Sequence, residues 1–402
     1  MLLRKLLILI AILLLSLTSF QINYADDYNE DEPLLEVFSP EPKKADSSAY
    51  PKIEATAAVV IDTKSGRILY AKNADSRRAM ASTTKIMTAI LAIENGKLED
   101  KVKISKRAAS IRGSIIKLRS GEELTLKQLL YGLMLKSGND AAIAIAEHIG
   151  GSVENFAVMM NEKARDLGLK NTAFKNPHGL DADGHYTTAF ELAQIARYAL
   201  KNPAFSKIVG TQNISTGNRD LHTTNEMLGS YQGADGVKTG YTGNAGRCLV
   251  TSATRGNMRI ISVVLNCSSR AKRAQSSKSI LDYAFNNYQY TRILEENHQM
   301  RSIQVKRGRK EYVRIAATNG IEMPLTKEEK NSLRKEISMY KNLNAPVYEG
   351  VEVGTIRFFV NGSSNPIAES VLVTKESVPA KTFSDYWNKV LGVWYNLIRM
   401  NI

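Results

Sequence analysis

Ser82-Thr83-Thr84-Lys85 places a hydroxyl three residues ahead of an amine. On a helix, residues i and i+3 share a face, so the two groups meet. Serine is a weak nucleophile at neutral pH and needs a base within hydrogen-bond reach. Lysine serves as that base only when unprotonated, which burial or a neighbouring cation brings about. The spacing alone does not single out Ser82, because Ser114/Lys117, Ser269/Lys272, Ser332/Lys335 and Ser338/Lys341 repeat it. Two further segments do. Ser137-Gly138-Asn139 lies in the tight connection between two apolar helical stretches, where a hydroxyl and a carboxamide can project into a cleft. Ser363-Ser364-Asn365 matches the same pattern, so this segment is weak by itself. Lys238-Thr239-Gly240 occurs once in the chain. It enters a strand-like run, and its glycine permits close backbone approach. Ser82 alone has both segments downstream at such intervals, and it is the candidate nucleophile.

The elements that must position these groups follow from periodicity. "ATAAVVID" and "RILYAKN" read as a strand pair around Thr63-Lys64-Ser65-Gly66, followed by a helix that starts at Ser82 with Ile86, Met87, Ile90, Leu91 and Ile93 on its apolar side. From Leu126 to about Leu200 the pattern is helical. "LKQLLYGLMLK" stops at Ser137-Gly138. Asn139 or Asp140 is expected to cap the helix Ala141 to Ile149. Gly168 closes "VENFAVMMNEKARDLGL", and Thr188/Glu191 forms a capping box ahead of "ELAQIARYAL". After Val237 strands return, then a helix around "AQSSKSILDYAFNNY". Strands, a helical block and strands again imply an α/β (α+β) unit, an antiparallel sheet with an inserted helical subdomain. From His298 the texture changes to short alternating strands around a charged segment, Lys327 to Lys341, which reads as a separate small β domain.

The ends of the chain bear on its surroundings. The net charge of +14 over 402 residues favours an anionic neighbour: nucleic acid, a membrane surface or a wall polymer. Met1 to Lys5 is basic, Leu6 to Phe20 mostly apolar, and Asp26-Asp27 acidic. That is the order of a secretory signal peptide, although Asn23 is not the small residue expected before a cleavage site, and an uncleaved anchor is the alternative. Export argues against nucleic acid and permits disulfides. In an unbroken hairpin with Arg255 opposite Met258, however, Cys248 faces Leu265 and lies diagonal to Cys267, too far for a bridge, so two reduced thiols are expected. Both tryptophans fall in the last stretch, where Phe383, Trp387, Val390, Trp394, Leu397 and Ile398 recur at helical spacing between Lys381, Asp385, Lys389 and Arg399. This suits a helix lying in a membrane interface; the alternative is a helix that docks the stripe on its own protein. The expected organisation is a signal peptide at 1–25, a flexible leader at 26–50, a catalytic domain at 51–297, a small β-rich domain at 298–379 and an amphipathic helix at 380–402.

Ser-x-x-Lys, Ser-x-Asn and Lys-Thr-Gly in this order are the signature of penicillin-recognising serine enzymes. Within that superfamily the chain resembles the serine-type D-Ala-D-Ala carboxypeptidases, the low-molecular-mass penicillin-binding proteins of the penicillin-binding protein 5 type. "AAVVIDTKSGRILYAKNADSRRAMASTTKIMTA", "LLYGLMLKSGNDAAIAIAEHIGGS", "NPHGLDADGHYTT" and "GADGVKTGYTGNAGRCLVTSATRGNMRIISVVL" each look like the family's pattern. The resemblance implies a β-lactamase/transpeptidase-like domain, a peptidoglycan pentapeptide ending in D-Ala-D-Ala as substrate, and β-lactams as covalent inhibitors. It implies Ser82 as nucleophile, Lys85 as its base, Ser137 as proton relay and Asn139 as orienter of the acyl chain. Lys238 and Thr239 of Lys238-Thr239-Gly240 would hold the substrate carboxylate, Lys238 also lowering the pKa of Lys85. The N–H groups of Ser82 and Tyr241 would form the oxyanion hole, and Arg273 would be a second carboxylate-binding cation. Some relatives carry His where this chain has Tyr241, so any imidazole role is lost while a backbone contact survives. The action would be at the extracytoplasmic face of the membrane.

Two rivals are weighed on residues. A β-lactamase shares the three segments but needs a deacylating base, as in a Glu-x-x-Leu-Asn-type loop, and none lies between Ser137 and Lys238. A catalytically silent wall-binding scaffold would not retain every reactive residue. His148, His178, His185, His222 and His298 show no metal-ligand spacing, and no metal or cofactor is implied. His178 either lines the site or is a turn histidine satisfied by its neighbours.

Overall fold

The computed structural model describes residues 50–400 apart from 301 and 361. The signal segment and all of the leader except Tyr50 lie outside the described residues. The chain divides into one unit ending at Asn286 and a second starting at Asn287. The division precedes His298 because Gln289–Leu294 already pairs with Ile321–Leu325 of the second unit.

In the first unit, β1 (Ala57–Asp62), β2 (Ile68–Lys72), β3 (Ala234–Thr242), β4 (Gly246–Arg255) and β5 (Met258–Cys267) form an antiparallel sheet of order β2-β1-β5-β4-β3. Strand β1 pairs with β5 across the whole helical insertion, as the return to strands after Val237 implied. Both faces are covered. Ile261, Val263 and Leu265 of β5 point into the core shared with the inserted helices. Ser262 points the other way, its Oγ 2.8 Å from Ser277 Oγ on the helix Arg270–Asn287. Burial on both faces is why "IISVVL" is nearly unbroken in apolar residues.

The inserted helices are α1 (Lys85–Asn95), α2 (Leu126–Leu135), α3 (Asn139–Gly150), α4 (Val153–Asp166), α5 (Ala189–Ala199) and α6 (Pro203–Val209). Gly168 ends α4 with a left-handed φ of 73°. Two expected caps are realised differently. Gly138, not Asn139 or Asp140, is the N-cap of α3, whose first turn begins at Asn139. Thr188 accepts from Glu191 N, but the Glu191 carboxylate does not reach back. It accepts instead from Lys170 N, Asn171 N and the Thr172 hydroxyl, pinning the preceding loop.

The β4–β5 hairpin keeps Arg255 opposite Met258, but the register shifts between Arg247 and Leu249, so that Arg247 pairs with Cys267. The extra residue is on β5, where Leu265 and Asn266, the latter at φ 58°, together oppose Cys248. Both cysteines are buried, and neither is in a disulfide.

The second unit holds a four-stranded sheet (Ile315–Ala317, Ala368–Thr374, Glu352–Phe359, Arg334–Met339), a three-stranded sheet and the two-stranded ribbon that opens it. Its core gathers Val313, Ile315, Val353, Ile356 and Leu372. The charged segment is ordered as one capped helical turn, Lys327–Asn331, and the edge strand Arg334–Met339. A helix, Phe383–Met400, follows. Its Phe383, Trp387, Val390 and Trp394 remain exposed, Phe383 at 82% and Trp394 at 64%. Among the described residues no helix is long and apolar enough to cross a membrane.

Candidate active site

Ser82 occupies a 3₁₀ turn, Ala81–Thr84, that runs directly into α1. Ala81 enters the turn with φ 46°, a left-handed conformation rare for a residue with a side chain. Thr83 fixes the turn through its N–H and its hydroxyl, both donating to Met80 O at 3.2 and 2.5 Å. The next residue on this face is Lys85, which is fully buried.

Lys85 Nζ is the centre of the site. It lies 2.7 Å from Ser82 Oγ, 3.3 Å from Ser137 Oγ, 2.8 Å from Asn139 Oδ1 and 2.8 Å from the carbonyl oxygen of His178. Two of these, the Asn139 and His178 oxygens, can only accept, so each takes one N–H of the amine. The side left over faces the two hydroxyls, Ser82 Oγ at 2.7 Å and Ser137 Oγ at 3.3 Å. A neutral Lys85 with both hydrogens so engaged aims its lone pair at these hydroxyls, Ser82 the nearer, which is the orientation a general base requires.

The loops that complete this shell are tightly held. Ser137 adopts φ 60° between α2 and α3. Asn139 Nδ2 donates to Arg112 O at 2.8 Å, and Asp140 accepts from Ile116 N and Leu118 N, so α3 clamps the segment beyond residue 111. Burial raises the Asp140 carboxyl above its ordinary range, opposed by those N–H donors. The His178 carbonyl is presented by a turn in which Asn176 Oδ1 accepts from Gly179 N at 2.7 Å. Gly179 has φ +92°, and a methyl group there would meet Ala81 O at 2.0 Å. Only glycine lets this turn press against the turn that carries Ser82.

Lys238, Thr239, Gly240 and Tyr241 lie on β3, the edge strand. A methyl at Gly240 would come within 3.0 Å of Ser82 N and 3.1 Å of Thr83 N. The glycine thus admits the start of the catalytic helix against the strand, a closer use of it than the approach of a ligand chain. Lys238 is buried, its Nζ donating to Thr239 O at 2.9 Å. Thr239 Oγ1 lies 2.7 Å from Thr224 Oγ1. Arg247 stacks over the Tyr241 ring at 3.8 Å. Thr242 Oγ1 donates to Asp181 Oδ1 at 2.7 Å, tying the strand's end to the His178 turn.

Two of the expected site residues have partners that the sequence does not announce. Asn139 is fully buried, with its oxygen on Lys85 Nζ and its nitrogen on Arg112 O. Arg273 is likewise fully buried, and its Nε and Nη2 bind the two carboxylate oxygens of Glu226 at 2.8 and 2.7 Å. Its charge is thus matched by a buried carboxylate. Sequence reasoning did not register Glu226, Thr224 or the carbonyl of His178. Gly179, after His178 in a loop, was the one available hint.

His178 is the satisfied turn histidine of the two alternatives. Its Nδ1 accepts from Leu180 N at 3.2 Å, so the proton sits on Nε2. Burial, with Lys85 nearby, pushes its pKa down to about 3. His185 Nδ1 accepts from Lys175 N, which leaves Nε2–H to face Thr84 Oγ1 at 2.8 Å. Burial lowers its pKa to about 4.

The fold and this lysine-centred serine define a penicillin-recognising serine hydrolase. Residues 43–269 match the family described as D-alanyl-D-alanine carboxypeptidase, and residues 288–380 match the penicillin-binding protein 5 C-terminal domain. The chain belongs to the D-alanyl-D-alanine carboxypeptidase family, serine hydrolases that penicillin acylates. It is 41% identical over 353 residues to D-alanyl-D-alanine carboxypeptidase DacF of Bacillus subtilis, covering 85% of this chain and 90% of that one. It is 40% identical over 257 residues to the D-alanyl-D-alanine carboxypeptidase of Streptomyces sp. strain K15, covering 58% of this chain and 88% of the relative. The crystal structure of penicillin-binding protein 5 from Haemophilus influenzae superposes with a TM-score of 0.74 at 32% identity, covering 82% of this chain and 98% of that one.

Proposed function

We propose that Ser82 is the residue acylated in a D-Ala-D-Ala carboxypeptidase reaction on peptidoglycan stem pentapeptides, with Lys85 as its base. Neutral Lys85 takes the hydroxyl proton as Ser82 Oγ attacks the carbonyl carbon of the penultimate D-Ala. The N–H groups of Ser82 and Tyr241 stabilise the oxyanion, a contribution of about 10²–10³ in rate per donor. As the C–N bond breaks, the proton passes through the Ser137 hydroxyl to the amine of the departing D-Ala. Lys238 and Thr239 bind the terminal carboxylate of the substrate, and the buried Lys238 cation favours neutral Lys85. Water then hydrolyses the ester. Penicillin enters by the same attack, but its leaving nitrogen stays tethered to the acyl group and hinders the incoming water.

The observation that carries this reading is the Lys85 shell, in which two carbonyl acceptors turn the amine toward the hydroxyls of Ser82, at 2.7 Å, and Ser137, at 3.3 Å. The test is Ser82→Ala, expected to abolish fluorescent-penicillin labelling and D-Ala release from a pentapeptide while the circular dichroism spectrum is unchanged. Labelling that survives would place the nucleophile elsewhere.

The exposed aromatic stripe of Phe383–Met400, beside Lys381 and Lys389, supports association with an anionic membrane surface. With the secretory pattern of the first residues, this supports action at the extracytoplasmic face.

A further inference from the structure

The two halves of the acylation machinery stand on different elements. Lys85 is oriented by the carbonyl of His178, which belongs to the loop between α4 and α5. The Tyr241 N–H, assigned above to the oxyanion, belongs to β3. That strand lies at the edge of the sheet, with a neighbouring strand on one side only. Gly240 packs against the turn that carries Ser82, but Tyr241 and Thr242 lie beyond that contact, where the chain turns back into β4. The distance of the oxyanion donor from Ser82 therefore depends on what holds this end of β3.

Asp181 holds it. Its carboxylate accepts the Thr242 hydroxyl on Oδ1 at 2.7 Å and Asn244 N on Oδ2 at 3.3 Å. The order of the protons is fixed. Ala245 N donates to Thr242 Oγ1 at 3.1 Å, and a carboxylate can only accept, so the Thr242 proton goes to Asp181. Thr242 and Ala245 are buried, which withdraws this hydroxyl from competing water. On its other side Asp181 follows His178 by three residues, in a turn bonded within itself. Asn176 accepts from Gly179 N and donates through Nδ2 to Leu180 O at 2.8 Å, and Leu180 N donates to His178 Nδ1. Thr88 Oγ1 of α1 donates to Pro177 O at 2.6 Å, anchoring the turn to the helix of Lys85.

We propose that Asp181 is a positioning residue of the acylation step. Acting through Thr242, it sets the Tyr241 N–H where the attacked carbonyl oxygen becomes an oxyanion, and it couples that donor to the turn that orients Lys85. The inference rests on the roles of Ser82 and Tyr241 under the proposed function. An oxyanion donor contributes about 10²–10³ in rate and acts only within hydrogen-bond distance of the oxyanion, so a strand end that drifts forfeits part of that factor.

The experiment uses the full chain and the variants Asp181→Ala, Asp181→Asn, Thr242→Val and Thr242→Ser. Stopped-flow acylation by a fluorescent penicillin separates the dissociation constant of the first complex from the acylation rate constant. Infrared spectra of the penicilloyl-enzyme, isotope-labelled at the ester carbonyl, report the hydrogen bonds on that oxygen. Asp181→Ala and Thr242→Val should each slow acylation at least about fivefold, leave the dissociation constant within about twofold, and raise the carbonyl stretching frequency, because a retreating donor leaves the C=O bond stiffer. Thr242→Ser keeps the hydroxyl and should match the parent in all three. Asp181 lies at the surface, and Asp181→Asn is the milder step: it keeps an acceptor for Thr242, turns an amide N–H toward Asn244 N, and should fall between parent and Asp181→Ala. A parental acylation rate in Asp181→Ala overturns the proposal, as does slower acylation with an unmoved carbonyl band, which would mark a merely structural loss. The two possible failures are separable. Labelling that survives in Ser82→Ala removes the underlying reading and the proposal with it, whereas an unlabelled Ser82→Ala beside an unaffected Asp181→Ala removes the proposal alone.

Discussion

Acid should destabilise the catalytic unit through His178. Above about pH 7.5 the ring is neutral in both the folded and the unfolded chain, so there it contributes no pH dependence. Below that pH the unfolded chain takes up a proton that the native ring, held to about 3 chiefly by burial, refuses. A protonated Nδ1 would also face Leu180 N–H, the donor it now accepts from. Stability therefore falls as pH drops through 6.5. Between pH 7 and 5.5 the loss is about 1.3 kcal/mol for one such histidine, from 1.36 kcal/mol per pKa unit and the proton-binding difference. The substitution His178→Asn keeps an acceptor for Leu180 N and removes the titration. Urea unfolding followed by far-UV circular dichroism, which reports mainly the helix-rich first unit, should show the parent losing about 1.3 kcal/mol more than the variant over this range. Parallel pH dependences in the two proteins would refute the reasoning. His185, held to about 4, predicts a comparable further loss in both.

Gly179→Ala should destabilise by about 2–4 kcal/mol and slow penicillin acylation at least tenfold, because the added methyl meets Ala81 O at 2.0 Å in a left-handed backbone; a melting temperature equal to the parent's would contradict this. Glu226→Ala strands the Arg273 charge in the interior and should cost about 3–5 kcal/mol in urea unfolding. A change below about 1 kcal/mol would show that Arg273 has adequate compensation elsewhere. Removing residues after Ala380 should abolish co-sedimentation with anionic vesicles while D-Ala release from a soluble peptide persists; a truncated protein that still sediments would assign the attachment to another surface.

What the chain reveals before folding is side-chain chemistry carried by distinctive short patterns. Ser82, Lys85 and Lys238-Thr239-Gly240 could be picked out because their types and order are improbable together. The strand–helix–strand order was visible in apolar periodicity, and β1 beside β5 follows from it. What stayed hidden is main-chain chemistry and competition for partners. The His178 carbonyl has no side-chain signature, although it supplies one of the two acceptors that orient Lys85. Asn139 and Asp140 looked like helix caps because such residues usually are. Here Lys85 and the N–H groups of Ile116 and Leu118 claim them, and Gly138 takes the cap position. Glu191 is drawn from its box in the same way by three donors of one loop. The shift at Cys248 was equally illegible, since a bulge inserts one residue into a pairing that counting from the turn assumes to be unbroken.

That bulge leaves two thiols sealed in the sheet, at 0% and 2% exposure. Burial pushes the Cys267 sulfhydryl up to about 12, so at neutral pH it is almost wholly the unreactive acid form. An alkylating reagent in the medium would find neither sulfur while the strands stay zipped. Each modification would then mark a moment when β4 and β5 had parted, which makes the pair a natural stopwatch for the rate at which this unit opens.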